Sequence, residues 1–483
     1  MRLLRSLAAA MGAAAVAALA LATGPAAAAS AGSTQLSGMT PFTDCPPDST
    51  QYTLNSETEP FVAANPADPD NLAVIWQQDR HAWGSSRGIV ISVSEDGGRT
   101  WERKPLPGFS PCADTIGRVT NPHIVFGPDG TLHASVTMIG DRASVWTTSS
   151  QDGGTTWGTP VALADDTREV IHDKQAVTVD PRDPDRLYAV WNRRTMAEDK
   201  HDLLLATSDD GGATWESPRS VYRPATTAGT VGAQVLVQRD GSLLCVFFES
   251  DHPIGGVATP PLPEQIRAIR STDGGRTWSG PVTVADITLN VPRFPGTSNQ
   301  FMAPGIVPDV ALDPITGTVY AVWGDAGLSA SGSAVGMSAS YDGGRTWTTP
   351  RKVNATPDSE AGGTGQAFLP QVDVHRNGTV AVTYYDFRGS TPGAGTVTDH
   401  WMLTCRGWTC PLNGRNWSER RLAGPMTGLE GVSMSFGAPF VGTYVGLSHD
   451  DESFLSAYVA PTGTPEDPQN VQLATTPAVP RLP

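Results

Sequence analysis

An eight-residue segment that recurs five times is the feature of this 483-residue chain that most limits its possible folds. The copies read SEDGGRTW, SQDGGTTW, SDDGGATW, STDGGRTW and SYDGGRTW, and they begin at Ser94, Ser150, Ser208, Ser271 and Ser340. Ser and Asp side chains accept hydrogen bonds from nearby backbone amides and Gly adopts positive φ, so each copy predicts a tight turn between strands. The spacing of 56 to 69 residues leaves room for four strands per repeat, which predicts an all-β protein made of repeated sheets.

Two further strand-like runs precede every copy of the segment, for example EPFVAANP and then NLAVIW in the first repeat. A sixth unit, beginning PQVDVHR, lacks the segment, and a seventh supplies only three strands. Residues 50–57, TQYTLNSE, would complete that last sheet, because a terminal strand that joins it closes a ring and leaves no free inner edge. We therefore predict one β-propeller domain over residues 50–480 with four-stranded blades, seven blades being favoured and six being the alternative.

The first 29 residues have the composition of a signal peptide. Arg2 and Arg5 precede an Ala- and Leu-rich apolar run, and small residues suited to signal-peptidase cleavage follow it. No later apolar run is long enough to cross a bilayer. We expect a secreted, extracellular protein in which residues 30–49 are an N-terminal extension of the propeller.

The five cysteines fit an exported chain, in which disulfides persist. Cys405 and Cys410 enclose only RGWT and are expected to pair, and Cys45 and Cys112 are the second expected pair. Cys245 lies in the apolar run SLLCVFFE, where we expect a buried free thiol. No CxxC pair or HExxH helix indicates zinc, so we predict no cofactor and no metal ligand, with a structural calcium ion left open.

The chain is acidic, with 49 Asp and Glu residues against 33 Lys and Arg residues and a formal net charge of −16 at pH 7. Such a charge repels phosphate backbones and anionic lipids, which argues against nucleic acid or a membrane as a partner. We expect a monomer.

The segment S-x-D-G-G-x-T-W resembles the Asp box, or BNR repeat, of the bacterial sialidase superfamily, and the resemblance covers about residues 50–480. It implies a secreted propeller that binds a glycan or polysaccharide, with exo-α-sialidase activity as the best-known function of the group. Sialidases of this group carry a Phe/Tyr-Arg-Ile-Pro motif on an early inner strand, whereas the matching strand here reads EPFVAANP and contains no Arg. They also usually have six blades.

The resemblance implies an active site on the face opposite the Asp boxes, among unrepeated loops such as IWQQDRH, HDKQ and YYDFR. A retaining sialidase-type reaction needs cations for the sugar carboxylate, an acid/base carboxyl and a neutral nucleophile. The candidates for substrate binding are Arg80, Arg118, Arg193, Arg388, His172 and Lys174. The catalytic candidates are Tyr385 as nucleophile with its neighbour Asp386, Tyr444 as the alternative nucleophile, and Asp79 or Asp173 as acid/base.

Three functions are compatible with these residues. The first is a secreted exo-glycosidase of sialidase type that removes a terminal acidic sugar from a glycan. The second is a non-catalytic propeller that binds glycans or another protein. The third is a lyase or glycosidase acting on uronate-containing polysaccharide, in which His172 or His123 with a Tyr would abstract a proton next to a carboxylate.

Overall fold

The chain is almost entirely β-structure. The computed structural model describes residues 32–45, 50–111, 117–195, 200–224, 229–250, 262–289, 291–303, 305–391, 395–406 and 417–478. In these ranges the chain forms 30 β-strands and one short 3-10 helix, Leu429–Gly431, and contains no helix that is long and apolar enough to cross a membrane. The predicted all-β architecture is confirmed, whereas the predicted signal peptide lies outside the described residues.

Most strands belong to groups of four, in which each strand pairs antiparallel with the next, and we number these groups as sheets in chain order. A short strand, β1, is Ser33–Gln35. Sheet 1 contains β2 (Tyr52–Asn65), β3 (Asp68–His81), β4 (Ser86–Ser94) and β5 (Glu102–Pro105). Sheet 2 contains β6 (Arg118–Phe126), β7 (Leu132–Ile139), β8 (Arg142–Ser150) and β9 (Val161–Thr167). Sheet 3 contains β10 (Val170–Asp180), β11 (Asp183–Thr195), β12 (Lys200–Ser208) and β13 (Arg219–Tyr222).

The second half of the chain continues the same pattern. Sheet 4 contains β14 (Gly229–Val237), β15 (Leu243–Ser250), β16 (Leu262–Ser271) and β17 (Val282–Leu289). Sheet 5 contains β18 (Asp309–Leu312), β19 (Val319–Asp325), β20 (Ala334–Ser340) and β21 (Arg351–Lys352). Sheet 6 contains β22 (Ala367–Val374), β23 (Thr379–Asp386), β24 (Val397–Arg406) and β25 (Ser418–Thr427). A hairpin of β26 (Met434–Ser435) and β27 (Ala438–Pro439) precedes sheet 7, which contains β28 (Gly446–His449), β29 (Ser453–Thr464), β30 (Asp467–Pro477) and β1.

The first strands of the sheets contact one another in chain order. β2 contacts β6, β6 contacts β10, β10 contacts β14, β14 contacts β18, β18 contacts β22, and β22 contacts β28. Because β28 also contacts β2, the series returns to its starting point. Residues of β2, β6, β10, β14 and β28 line a common cavity of about 380 Å³, which we call the channel. The predicted four-stranded sheets are confirmed, and most of their apolar side chains pack between neighbouring sheets.

The strand that completes sheet 7 differs from the predicted one. β1 pairs antiparallel with β30, with Ser33 opposite Ala474. Residues 52–57 belong to β2 of sheet 1, and the predicted segment contacts the last sheet through a parallel bridge between Ser56 and Gln469 of β30. Leu36 and Phe42, which follow β1, are buried in the core shared by sheets 1 and 7. Residues 33–42 therefore belong to the folded unit, because they cover the edge of β30 and fill the space beside it.

Each Asp box forms the same turn between the third and fourth strands of its sheet. In the first box, Gly98 N donates to Ser94 Oγ and Thr100 N donates to Asp96 Oδ1, both at 2.8 Å. Hydrogen bonds from the backbone and side chain of Thr100 lower the pKa of Asp96 to about 2. The other four boxes repeat both bonds. We call this end of the sheets the box end and the opposite end the loop end.

Among the described cysteines, one is a free thiol and two are in disulfides, as expected. Cys245 is a buried free thiol, as predicted, and burial raises its pKa. Cys45 and Cys405 are each disulfide-bonded. Cys112 and Cys410 lie outside the described residues, so the pairs Cys45–Cys112 and Cys405–Cys410 stay predictions.

Candidate functional site

Five of the first strands carry the same β-bulge, in which two of their residues face one residue of the second strand. The first residue of each bulge has a left-handed φ, which is 51° at Glu59, 53° at Asn121, 52° at Lys174, 66° at Gly232 and 52° at Leu369. Residues other than Gly are strained in this conformation, and strain that the surroundings maintain is concentrated at functional sites. The ring of bulges therefore marks the level of the channel where a site is expected.

Three of the bulge residues are joined to one another by hydrogen bonds. Lys174 Nζ donates to Glu59 Oε1 and to Asn121 Oδ1, both at 2.8 Å. Asn121 Nδ2 donates in turn to Asp173 Oδ1 at 2.6 Å. Sheets 1, 2 and 3 are thereby joined by one hydrogen-bonded group, which we call the channel cluster: Glu59, Asn121, Asp173 and Lys174.

The two carboxylates of the channel cluster have different surroundings. Burial by itself raises the pKa of Glu59, but the charges of Lys174 and Arg80 outweigh it and hold the pKa below its usual value. Both oxygens of Glu59 accept hydrogen bonds, Oε1 from Lys174 and Thr443 and Oε2 from Gln77. Asp173 is only half-buried, and within the described ranges its hydrogen bonds all fall on Oδ1. Asp173 is therefore the carboxylate that can accept a hydrogen bond from a ligand.

Arg80 and Arg118 lie beside the channel cluster. Arg80 is buried and donates to Gln77 Oε1 at 2.6 Å, and Arg118 NH1 lies 2.8 Å from His81 Nδ1. Burial lowers the pKa of Arg80 to about 10, with the charge of Arg118 adding to the effect and that of Glu59 opposing it. Among the residues that the structure describes, neither arginine has a carboxylate within 4.0 Å, and Arg80 Nε has no hydrogen-bond partner. Two neighbouring cations without ion-pair partners are candidates for binding an anionic ligand.

A small cavity of about 30 Å³ lies next to the channel cluster and is lined by Lys174, His123 and Tyr444, among others. The Tyr444 hydroxyl donates to the backbone oxygen of Pro122 at 3.0 Å, and burial raises its pKa well above the usual value. Burial also lowers the pKa of His123 to about 3, so its imidazole is neutral. A cavity of this size accommodates water but not a sugar.

Tyr385, Asp386 and Arg388 were predicted to belong to the site, but the structure places them away from the channel cluster. Tyr385 is buried against β29, where its hydroxyl donates to Val459 O at 3.0 Å and accepts from Val459 N at 2.9 Å. Arg388 forms a bidentate pair with Glu419 at 2.7 and 2.9 Å and also bonds Asp386. Side chains alternate along β23, so Tyr385 faces sheet 7 while Asp386 faces the other side. These three residues hold sheet 6 together and to its neighbour.

Asp79, His172 and Arg193 lie near the loop end but have structural partners of their own. The partners are Arg87 and Thr40 for Asp79, Asp166 and Trp191 for His172, and Asp202 for Arg193. His172 is therefore not available as the base of the predicted lyase, because both of its ring nitrogens are hydrogen-bonded to protein side chains. Of the predicted site residues, the structure brings together Arg80, Arg118, Asp173 and Lys174. In the described ranges, no three His, Cys, Asp or Glu side chains are grouped so that they could hold a metal ion.

Other residues of the site were not singled out from the sequence. Asn121 links Asp173 to Lys174, and Gln77 links Glu59 to Arg80. The sequence does contain a pattern that marks them: a polar residue followed by Pro, Glu59–Pro60 and Asn121–Pro122, begins both EPFVAANP and NPHIVFGP. These dipeptides occupy the two bulge positions of their strands.

No family model matches the chain. A sialidase of Micromonospora viridifaciens is 29% identical over 241 residues, which are 46% of this chain and 36% of that protein. A xyloglucanase of a Paenibacillus species is 26% identical over 238 residues, which are 47% of this chain and 20% of that protein. Each match thus spans well under two thirds of the relative's own length. Among solved structures, a Hadza microbial sialidase has a TM-score of 0.45 at 15% identity, covering 89% of this chain and 91% of its own.

The sequence match to a sialidase confirms the resemblance that the Asp boxes indicate. Both sequence relatives carry the names of enzymes that act on glycans.

Proposed function

We propose that this chain is an exported glycoside hydrolase with a seven-bladed propeller fold, which removes a terminal sugar carrying a carboxylate from a glycan. The observation that carries the proposal is the pair Arg80 and Arg118, which lack ion-pair partners in the described part of the chain and lie beside Asp173 and Lys174. Guanidinium groups bind carboxylates strongly and in a bidentate manner. The match to a sialidase supports an acidic sugar as the substrate.

Two structural observations support the remaining parts of this proposal. The first strands of seven sheets contact one another in a closed series, which supports seven blades around one channel. Cys45 and Cys405 are disulfide-bonded, which supports export because disulfides persist in oxidising compartments.

In the proposed reaction, Asp173 donates a proton to the glycosidic oxygen while the bond to the anomeric carbon breaks. A solvent water then adds its hydroxyl group to that carbon and returns its other proton to Asp173. Its Oδ1 accepts from Asn121 and from the backbone amide of Lys174, so the carboxyl group is oriented by two bonds that do not use Oδ2. Glu59 stays anionic and balances the charge of Lys174 in the channel wall. Tyr444 is given no part in bond cleavage, since its hydroxyl is bonded to Pro122.

The test uses the full chain and the sialic acid conjugate of 4-methylumbelliferone, whose cleavage releases a fluorophore. We expect Arg118→Met to lower kcat/KM by about 10- to 100-fold, because charge-assisted hydrogen bonds to the carboxylate are lost. Asp173→Asn should lower kcat by about 10²- to 10⁴-fold, which is the usual contribution of acid/base catalysis. Arg142→Met is the matched control, since Arg142 pairs with Asp165 on the exposed surface. Unchanged hydrolysis in Asp173→Asn would remove that residue from the mechanism.

A second function, glycan binding without cleavage, is favoured by one observation. Glu59 and Tyr444, the other two groups that could attack or support the sugar, are both engaged by protein partners. Titration calorimetry with sialylated and uronate-containing oligosaccharides separates the two functions. If the chain binds such a glycan, loses binding in Arg118→Met and releases no product, it is a binding protein.

A further inference from the structure

Two exposed aromatic side chains lie at the loop end, next to the arginines of the proposed site. Trp83 follows β3 and is 58% exposed, and Phe436 lies at the tip of the β26–β27 hairpin and is 64% exposed. Their ring centroids are 6.4 Å apart and the ring planes meet at 71°. The two side chains come from distant parts of the sequence, so it is the tertiary structure that brings these two exposed rings together.

Phe436 has a backbone conformation that is unfavourable for residues other than Gly, and its position is fixed by contacts with the loop after β3. Its φ is 50°, in the left-handed region that residues other than Gly avoid. Its backbone amide donates to Ala82 O at 2.8 Å, which ties the hairpin to the loop after β3. The ring lies against Gly84, where a Cβ atom would be 3.2 Å from two ring atoms. The two-residue turn of the hairpin requires positive φ at positions 436 and 437, which Gly437 meets without strain. The turn explains the backbone conformation but does not explain an exposed aromatic side chain at position 436, which we attribute to ligand binding.

The same two loops hold the arginines of the proposed site. Arg80 NH2 donates to Ser435 Oγ at 2.9 Å, one residue before Phe436. Arg118 NH1 donates to Gly84 O at 3.0 Å, one residue after Trp83. A ligand whose carboxylate is bound by the guanidinium groups therefore has its next chemical unit beside the aromatic rings.

We propose that Trp83 and Phe436 form a platform for the neutral sugar to which the acidic sugar is linked, on the leaving-group side of the bond. One face of a pyranose ring presents C–H groups, which are apolar and complement the negative face of an aromatic ring. The charged sugar is recognised by Arg80 and Arg118, and the neutral one by the platform. This inference rests on the proposed function and adds to it a preference for oligosaccharides over simple glycosides.

The experiment compares the trisaccharide 3′-sialyllactose with the methyl α-glycoside of sialic acid, which lacks the neutral sugars, and measures released sialic acid. We expect Phe436→Gly and Trp83→Ala to lower kcat/KM for the trisaccharide by about tenfold and to leave that for the methyl glycoside within about twofold. Phe436→Tyr should restore the preference. Tyr341→Ala is the matched control, because Tyr341 is 50% exposed on an Asp box at the box end.

Stability and association measurements separate a platform from a structural or dimerising role. Gly suits the left-handed φ at position 436, so Phe436→Gly should not lower the thermal unfolding midpoint. A marked fall in that midpoint, equal losses on both substrates, or a dimer that Phe436→Gly dissociates would each overturn the platform. If the parent cleaves neither substrate, the proposed function fails by itself. Calorimetric binding of lactose then tests the platform, and binding that Phe436→Gly leaves unchanged would overturn it.

Discussion

Left-handed φ values occur both in the turns at the box end and in the channel cluster, but different types of residue adopt them in the two places. At the box end the left-handed positions are occupied by Gly, for example Gly97 at φ 69° and Gly98 at φ 82°. In the channel cluster they are occupied by Glu59, Asn121 and Lys174. Gly adopts this conformation without strain, whereas other residues are strained by about 1–3 kcal/mol each. The difference indicates that strain is avoided where a turn only connects strands and is tolerated where a side chain must reach the channel.

The hydrogen bonds at these two places also differ in their range. The Asp96 carboxylate bonds residues of its own turn, such as Thr100. The Lys174 ammonium, in contrast, bonds residues from two other sheets. A change in one box should therefore act on one turn, while a change in the channel cluster should act on several sheets at once.

The largest expected effect is that of Lys174→Met. The substitution leaves Glu59 buried without its ion-pair partner, and removing one partner of a buried pair destabilises by about 3–5 kcal/mol. Urea denaturation at pH 7 measures this loss. The matched control is Arg142→Met, which breaks the exposed pair with Asp165 and should leave the unfolding free energy almost unchanged.

The loss in Lys174→Met should also depend on pH. In the parent, the pKa of Glu59 is lowered, so its contribution to stability is present above the unfolded pKa and is lost as pH falls. In the variant, Lys174 no longer opposes the effect of burial, so the pKa of Glu59 is higher than in the parent and ionising this carboxyl group costs more. The deficit relative to the parent should therefore be small near pH 4 and largest near pH 7. A deficit that is the same at both pH values would show that Lys174 acts through packing instead.

The second prediction concerns Gly344→Ala in the fifth Asp box. Gly344 has a φ of 84°, and a Cβ atom there would overlap Leu244 of sheet 4. Backbone strain and overpacking together should reduce the unfolding free energy by about 2–4 kcal/mol. Glycan binding per folded molecule should be unchanged, because the box lies away from Arg118 and Asp173. Calorimetry on folded protein checks this, and weaker binding would contradict the division between the two ends.

Gly280→Ala is the control for this substitution. Position 280 follows the fourth box, and a Cβ atom there would have no neighbour within 4 Å. We expect a change in unfolding free energy within about 0.5 kcal/mol. A larger loss would show that the turns at the box end are sensitive to any added side chain.

The repeated part of the fold could be predicted from sequence because each box contains its own turn chemistry. Ser, Asp and two Gly residues determine the hydrogen bonds of such a turn locally, and five copies fix the period of the sheets. The strand that closes sheet 7 could not be predicted in this way. β1 has three residues, all exposed, so no alternation of apolar side chains marks it, and its pairing with β30 depends on tertiary structure.

The site could be predicted in part. Arg80, Arg118, Asp173 and Lys174 could be named from sequence because the Asp boxes direct the search to the unrepeated loops on the opposite face, and because the reaction needs cations and a carboxyl group. Tyr385 was misplaced because a shift of one residue along a strand sends a side chain to the opposite face. The bulges add such a shift in the middle of a strand, and their left-handed residues cannot be recognised from amino-acid type when they are Glu, Asn or Lys.

The smallest expected effect is that of His449→Gln, at the ion pair that joins sheets 7 and 6. His449 Nδ1 lies 2.6 Å from Asp373 Oδ2, and although burial and Arg376 oppose protonation, Asp373 and Asp450 outweigh them and raise the His449 pKa. Since the folded pKa is the higher one, the stabilisation is complete below the unfolded pKa of about 6.5 and is lost as pH rises through the folded value. The substitution should lower the unfolding free energy by up to about 1 kcal/mol at pH 5.5 and have almost no effect at pH 9, as measured by urea denaturation.

This trend is opposite in sign to that of Lys174→Met, whose deficit grows with pH, because one pair depends on a protonated His and the other on an ionised Glu. The two variants therefore distinguish the ion pairs by the pH at which each contributes, independently of the size of the effects. His449 also packs against Phe454, with ring centroids 6.3 Å apart, and a purely apolar role would give a deficit that is equal at pH 5.5 and pH 9. His449→Phe, which keeps an aromatic ring and removes the charge, should show the same dependence on pH as His449→Gln.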